Sequence, residues 1–362
     1  MKFTTQIKTR IDEKEWDSLL LQNKASTVYQ SYNWAQLYQE VFGSKPLFIY
    51  VKNTTGKIVG QLLAFVHHEY YWIYANHFLK KIGSMLNLGS IILWWYGPII
   101  YDELYQDEIV SEILSALDKE ASENNVIMIR GSSAPMIDQF NQTPFEKKGY
   151  TLKLWGTYVT DLQQDINYLY SQLNKKTKYD IRRGEKNNLE FEVASDKRTL
   201  DEYIKLKHKE RESVGQKTAR IPLYKEKYWE YLQKNGYEKL FIVRHKGELI
   251  GGILNIIFNN NIIQHGVLNL RKELVGGPFL TWNTIKWASK EKYRTYDMGG
   301  FNPFPESEKE RSIDFYKSKW AGKKLHYNTY TKVLDRTKFK LSTALIYPER
   351  ATHKIKKIIS KK

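Results

Sequence analysis

One lysine stands where a helix would bury apolar side chains. In IDFYKSKWAG (313–322), helical spacing places Ile313, Tyr316, Lys317 and Trp320 at i, i+3, i+4 and i+7, on one face. A buried amine is costly unless it is paired, or unless its apolar stem carries the charge to water. If the face borders a cleft, the amine points to where negative charge develops during acyl transfer. One such donor in a dry site is worth about 3–4 kcal/mol. With a depressed pKa the same lysine could act as a base. Residue type and spacing leave both roles open.

Two further groups have chemical potential. LNKKTKYDIRRGEKNNLEFEV (173–193) sets six cations, Lys175, Lys176, Lys178, Arg182, Arg183 and Lys186, on one short helix, four of them along one side. Like charges on one face repel, so stability does not explain them; a phosphate backbone or pyrophosphate does. A solvated surface helix is the plainer alternative. In YDMGGFNPF (296–304) a strand ends at Asp297, and Gly299 and Gly300 let the backbone come close to a neighbour or a ligand. Asp297 either orients that turn or ionises beside Lys317.

Other chemistries are disfavoured. The chain has no cysteine, which rules out thiolate nucleophiles, disulfides and iron–sulfur clusters. His67 and His68 alternate across a strand, the other histidines are scattered, and neither HExxH nor GxSxG occurs, so neither a metal site nor a serine hydrolase is expected.

The elements that must position these residues come as a repeat. LFIYVKNTTGKIVGQLLAFVHH (47–68) and LFIVRHKGELIGGILNIIFNN (240–260) are both apolar strand, glycine turn, apolar strand. Each is followed by a further strand (70–74, 262–270), a helix (104–124, 278–291) and another strand (126–130, 295–298), which predicts a duplicated α+β module. A strand over 154–162 and a helix over 166–173, capped by Asp165, mark the joint.

The 362 residues suit two domains, and 41% hydrophobic with 14% aromatic residues suffices for packed cores. A net charge of +17 favours an anionic partner: nucleic acid, nucleotide phosphates or an acidic membrane surface. Residues 331–362 carry +8, and ATHKIKKIISKK reads as a basic amphipathic helix. The opening lacks the apolar core of a signal peptide, and the uncharged run 82–101 is broken by glycine and proline. A cytoplasmic chain is expected, with peripheral contact at the inner face of the membrane through the basic helix.

Taken together, the segments resemble the Fem-type (FemABX) peptidyltransferases. YQSYNWAQLY is similar to the family's Q-S-x-x-W-A pattern, WWYGPII to its Y-G-P strand, KKTKYDIRRGEK to its basic R-x-x-I-R-K-A-x-K helix, and YDMGG with FYKSKWAG to its D-x-G-G … F-K-x-x-F-G-G ending. The resemblance implies an α+β fold of two tandem GNAT-like acyltransferase domains with mixed sheets flanked by helices. The expected bounds are 1–156, with 325–362 as a candidate completion, and 157–324. It implies transfer of an amino acid from aminoacyl-tRNA to an amine of an anionic peptidoglycan or other cell-envelope precursor, with no bound cofactor. Lys317 then matches the family lysine that steadies the tetrahedral intermediate, beside Tyr316, where the family often has Phe. Trp34 and Tyr38 fall in the substrate-contacting segment, but Tyr38 stands where the family commonly has a phosphate-binding lysine, and Ala321 replaces the first glycine of the closing pair. Lys178, Arg182, Arg183 and Lys186 would hold donor or acceptor phosphates, and Asp297, Gly299 and Gly300 would shape the cleft floor. The alternatives are an acyl-CoA-dependent GNAT enzyme, for which RKELVGGPFL (271–280) is a loose pyrophosphate loop, and a catalytically inactive RNA- or membrane-surface-binding protein.

Overall fold

The computed structural model describes residues 2–68, 85–135, 141–213 and 226–346. The strand expected at 70–74 and the basic helix expected beyond residue 350 lie outside them. The chain divides into two units, Met1–Lys153 with Asn328–Lys362, and Leu154–Tyr327.

The first unit contains β1 (Thr4–Lys8), α1 (Glu13–Leu20), α2 (Tyr32–Phe42), β2 (Lys45–Lys52), β3 (Ile58–His68), β4 (Ser90–Leu93), β5 (Ile99–Ile100), α3 (Gln106–Glu123), β6 (Met128–Ser132) and α4 (Thr143–Lys147). Its sheet runs β1-β2-β3-β4-β6, with β5 beside β3, and residues 329–333 pair with β6. The pairs are antiparallel except β4 with β6, which the crossover helix α3 joins in parallel. Helix α3 buries Ile109, Val110, Ile113, Leu114 and Leu117, a helical stripe, against Leu47, Ile49, Leu62 and Ile92 of the sheet. As the strand alternation required, His67 is buried and His68 exposed.

The second unit repeats the plan with β7 (Thr151–Asp161), α5 (Ile166–Gln172), α6 (Lys175–Lys186), β8 (Glu190–Ala194), α7 (Lys197–Ser213), β9 (Glu238–His245), β10 (Glu248–Phe258), β11 (Asn261–Asn269), α8 (Gly276–Lys290), β12 (Thr295–Asp297) and α9 (Glu308–Lys317). The sheet order is β7-β12-β11-β10-β9-β8. Again a hairpin, β9–β10, precedes a strand–helix–strand crossover, β11–α8–β12, whose two strands are parallel. Asp165 caps α5 by accepting from Asn167 N and Tyr168 N at 2.8 and 3.1 Å. A mixed sheet flanked by helices, built twice, is the tandem GNAT-like architecture read from the sequence. Among the described residues no helix is long and apolar enough to cross a membrane.

The stripe expected over 313–320 is only partly helical. Helix α9 ends at Lys317, so Trp320 lies in the turn beyond it, and Ile313 remains 37% exposed. Ser307 and Glu310 fix the start of α9 with a capping box, and the helix itself has no fully buried residue. It is moored at its end instead: Trp320 is buried, and Thr160 on β7 donates to the Trp320 carbonyl at 3.0 Å.

Candidate active site

Lys317 occupies the last turn of α9, where the helix dipole favours a cation. Its Nζ donates to the carbonyl oxygens of Gly299, at 2.6 Å, and Gly300, at 2.8 Å. An ammonium has three donors, so one N–H remains for a third acceptor. Burial pulls the Lys317 pKa down from 10.5 to about 8, while the nearby Asp297 carboxylate acts to raise it.

The two carbonyls are held by what lies behind them. Asp297, at the end of β12, is 4% exposed and accepts from the Gly299 amide at 2.7 Å and from the Thr157 hydroxyl. The same hydroxyl lies 2.9 Å from the Gly299 carbonyl. Burial raises the Asp297 pKa above the usual carboxylate range, against the pull of Thr157, the Gly299 amide and Lys317. Gly299 has φ +77°, and a Cβ there would lie 2.9 Å from the Gln264 carbonyl oxygen and 3.6 Å from Lys317 Nζ. Strands β11 and β12 pair as far as Ile263 and Asp297, so this contact falls just beyond the end of the ladder.

Tyr316 turns toward α8. Its hydroxyl lies 3.1 Å from Thr281 Oγ1, and burial pushes its pKa up to about 12. The start of α8 is unusual. Val275 is its N-cap in the left-handed region, φ +55°, with no side chain capping the first turn, and Gly276 and Gly277 follow. First-turn amides are thus left for another acceptor.

Helix α6 runs beside that end. Gly184 packs on Phe279, and Asn187 Nδ2 donates to the Leu274 carbonyl at 3.3 Å. Ile181, Thr177 and Gly184 face inward, while Arg182, Arg183 and Lys186 are exposed and have no acidic partner among the described residues. Lys178 differs: it donates to the Ser171 carbonyl at 2.7 Å and lies 5.7 Å from the Tyr170 ring, so it belongs to the local structure of α5 and α6.

Trp34 and Tyr38 belong to the first unit. Trp34 is 3% exposed and packs edge-on to Tyr29, with ring centroids 4.8 Å apart. Tyr38 packs on Trp34, Phe42, Phe65 and Trp95 at 4.9–5.2 Å. In the same motif Gln30 ties the chain together: its Nε2 donates to the carbonyls of Leu63 and Trp95, and its Oε1 accepts from Leu63 N. Ser31 caps α2. The sequence pattern included Gln30 without giving it a role and held no sign of Thr157 or Thr281, which reach the site from a strand and a helix more than thirty residues away from their partners. Among the described residues no group of three or more His, Asp or Glu is placed to hold a metal ion.

Comparison with known proteins bears on this geometry. Residues 171–318 match the acetyltransferase (GNAT) domain family. The fold is similar to that of FemX, at 13% identity over 94% of this chain and 99% of that one, TM-score 0.69. It is similar also to a tandem GNAT protein from the clavulanic acid biosynthesis pathway (10% identity, 92% and 98% coverage, TM-score 0.57) and to L-PGS from Bacillus licheniformis (11%, 92% and 97%, 0.55). No curated protein matches the sequence. Lys317, Tyr316, Asp297, Gly299, Gly300 and the α6 cations all fall within the segment that matches the acetyltransferase (GNAT) domain model, in a chain whose fold is similar to that of FemX.

Proposed function

We propose that this acyltransferase moves an aminoacyl group from aminoacyl-tRNA to an amine of an anionic cell-envelope precursor. The observation that carries the reading is Lys317 Nζ, fixed by two backbone carbonyls with one N–H to spare. The acceptor amine attacks the ester carbonyl, a C–N bond forms, and the carbonyl oxygen gains negative charge. The free N–H of Lys317 meets that charge. Collapse breaks the C–O bond, the tRNA ribose leaves as its hydroxyl, and the amine's proton departs with it. With no cysteine in the chain, a direct attack without a thioester intermediate is the simplest route. Arg182, Arg183 and Lys186 on the outer side of α6 supply a cationic approach for the donor's phosphates.

The uncapped start of α8 favours a second reading, an acyl-CoA donor whose pyrophosphate rests on the Gly276 and Gly277 amides. A transfer and binding assay with charged tRNA and acetyl-CoA across a salt series separates the two. The tRNA reading expects binding that weakens steeply with salt, and transfer from the charged tRNA alone. Transfer from acetyl-CoA with salt-insensitive binding would replace it.

A further inference from the structure

Beneath α8 a polar seam crosses the sheet, formed by Asn255, Gln264 and Tyr296. Asn255, on β10, is fully buried, and neither its Oδ1 nor its Nδ2 has a partner among the described residues. Strand alternation places it between Ile253 and Ile257, which pack under Phe279, Leu280, Trp282 and Ile285 of α8. A buried carboxamide with both ends unmet is destabilising, and a leucine would fill the space at less cost.

The seam leads toward the candidate active site. On β11, a bulge leaves His265 out of register, and Gln264 stands directly opposite Asn255. Gln264 Oε1 accepts from the Tyr296 hydroxyl at 3.3 Å, and the Gln264 backbone carbonyl is the one that crowds Gly299. Tyr296 lies in the same core cluster as Tyr316, whose hydroxyl meets Thr281. Gln264 is half-buried whereas Asn255 is fully buried, so the polar groups run from the partly accessible end of β11 to a closed position on β10.

From this we infer that the seam receives the side chain of the transferred acyl group, and that Asn255 at its end reads a hydroxyl on it. A hydroxyl donates to Oδ1 and accepts from Nδ2, meeting both unpaired atoms at once. An ammonium would be buried without a counter-charge. A carboxylate would fare no better, since the cross-strand Lys239 directs its amine to the Trp287 ring, 6.0 Å from the centroid. The inference rests on the acyl-transfer reading and adds the class of acyl group.

The probes are L-serine methyl ester and L-alanine methyl ester, which differ by one hydroxyl, added to the whole protein with its side-chain amides labelled with nitrogen-15. The Asn255 amide signal is assigned by its loss in Asn255→Leu and, should that variant not fold, in Asn255→Thr. The serine ester is expected to shift that signal saturably and to bind at least about tenfold tighter than the alanine ester, a preference that disappears in the variant. Equal binding of the two esters, an unmoved Asn255 signal, or an amide in contact with an ordered water only, before and after addition, overturns the inference. None of these outcomes depends on transfer, which the Lys317 variants test separately.

Discussion

Lys317 Nζ lies 2.6 Å from the carbonyl oxygen of Gly299, eighteen residues earlier in the chain. This bond explains why a lysine ends a helix that also presents Tyr316: the amine does not return to solvent but closes on the turn after β12. Its role as a donor to two carbonyls also fits stabilisation of an oxyanion better than abstraction of a proton.

The pH profile distinguishes those roles. The ammonium is the form that can steady an oxyanion, and burial lowers its pKa to about 8. The transfer rate should therefore fall as pH rises through about 8. A rate that climbs through the same range assigns Lys317 as the base. Stability moves the other way. Between pH about 8 and 10.5 the unfolded chain holds a proton that the folded site has released, so this group's contribution to stability rises with pH. Thermal melts at pH 8 and 10 thus separate deprotonation from unfolding.

Gly299→Ala should damage both fold and activity. The residue's left-handed backbone disfavours any side chain, and a Cβ would press on the Gln264 carbonyl at 2.9 Å. The expected loss is about 1–3 kcal/mol in urea melts, with transfer reduced further because the Lys317 anchor shifts. Gly300→Ala meets the Tyr327 hydroxyl at 2.6 Å, the far end of a side chain that can give way, and should be milder. Equal and small effects would contradict the tight turn.

Ala321, at the position where the Fem-type pattern has a glycine, adopts φ +56°. Ala321→Gly should raise stability by about 0.5–1 kcal/mol in a urea melt, because relief of left-handed strain exceeds the added freedom of the unfolded chain. Ala321 also packs against the core cluster that holds Trp320, and a destabilised variant would show that this packing outweighs the strain.

The α6 cations predict a salt signature. Replacing Arg182, Arg183 and Lys186 together with glutamine should leave the fold intact, since all three are exposed and unpaired among the described residues. The slope of log affinity for tRNA against log salt should fall by about 2–3, as each phosphate contact contributes about 0.7–0.9. An unchanged slope places the nucleic acid elsewhere. Lys178 is left out of this set because the Ser171 carbonyl already holds its amine.

Much of the fold was legible because its signals are local. Glycine turns between apolar runs gave the hairpins at 47–68 and 240–260, and Asp165 gave the start of α5. The bounds of the 313–320 stripe were misplaced because apolar spacing continues through Trp320 after the helical hydrogen bonds stop. Lys317, Asp297, Gly299 and Gly300 are brought together as the spacing and resemblance suggested. Thr157 was out of reach: it meets Asp297 across 140 residues through the β7–β12 pairing, and no pattern within a single strand encodes its neighbour. Asn255 was hidden for the same reason, since an asparagine in an apolar strand looks like an imperfection until its burial and missing partners are seen.

Single-turnover transfer by Lys317→Ala, measured beside tRNA binding by the same protein, tests the central assignment most directly. Transfer should drop by about a hundredfold or more while tRNA affinity stays within about twofold. A variant that transfers at the wild-type rate would contradict the assignment of Lys317 to the developing oxyanion.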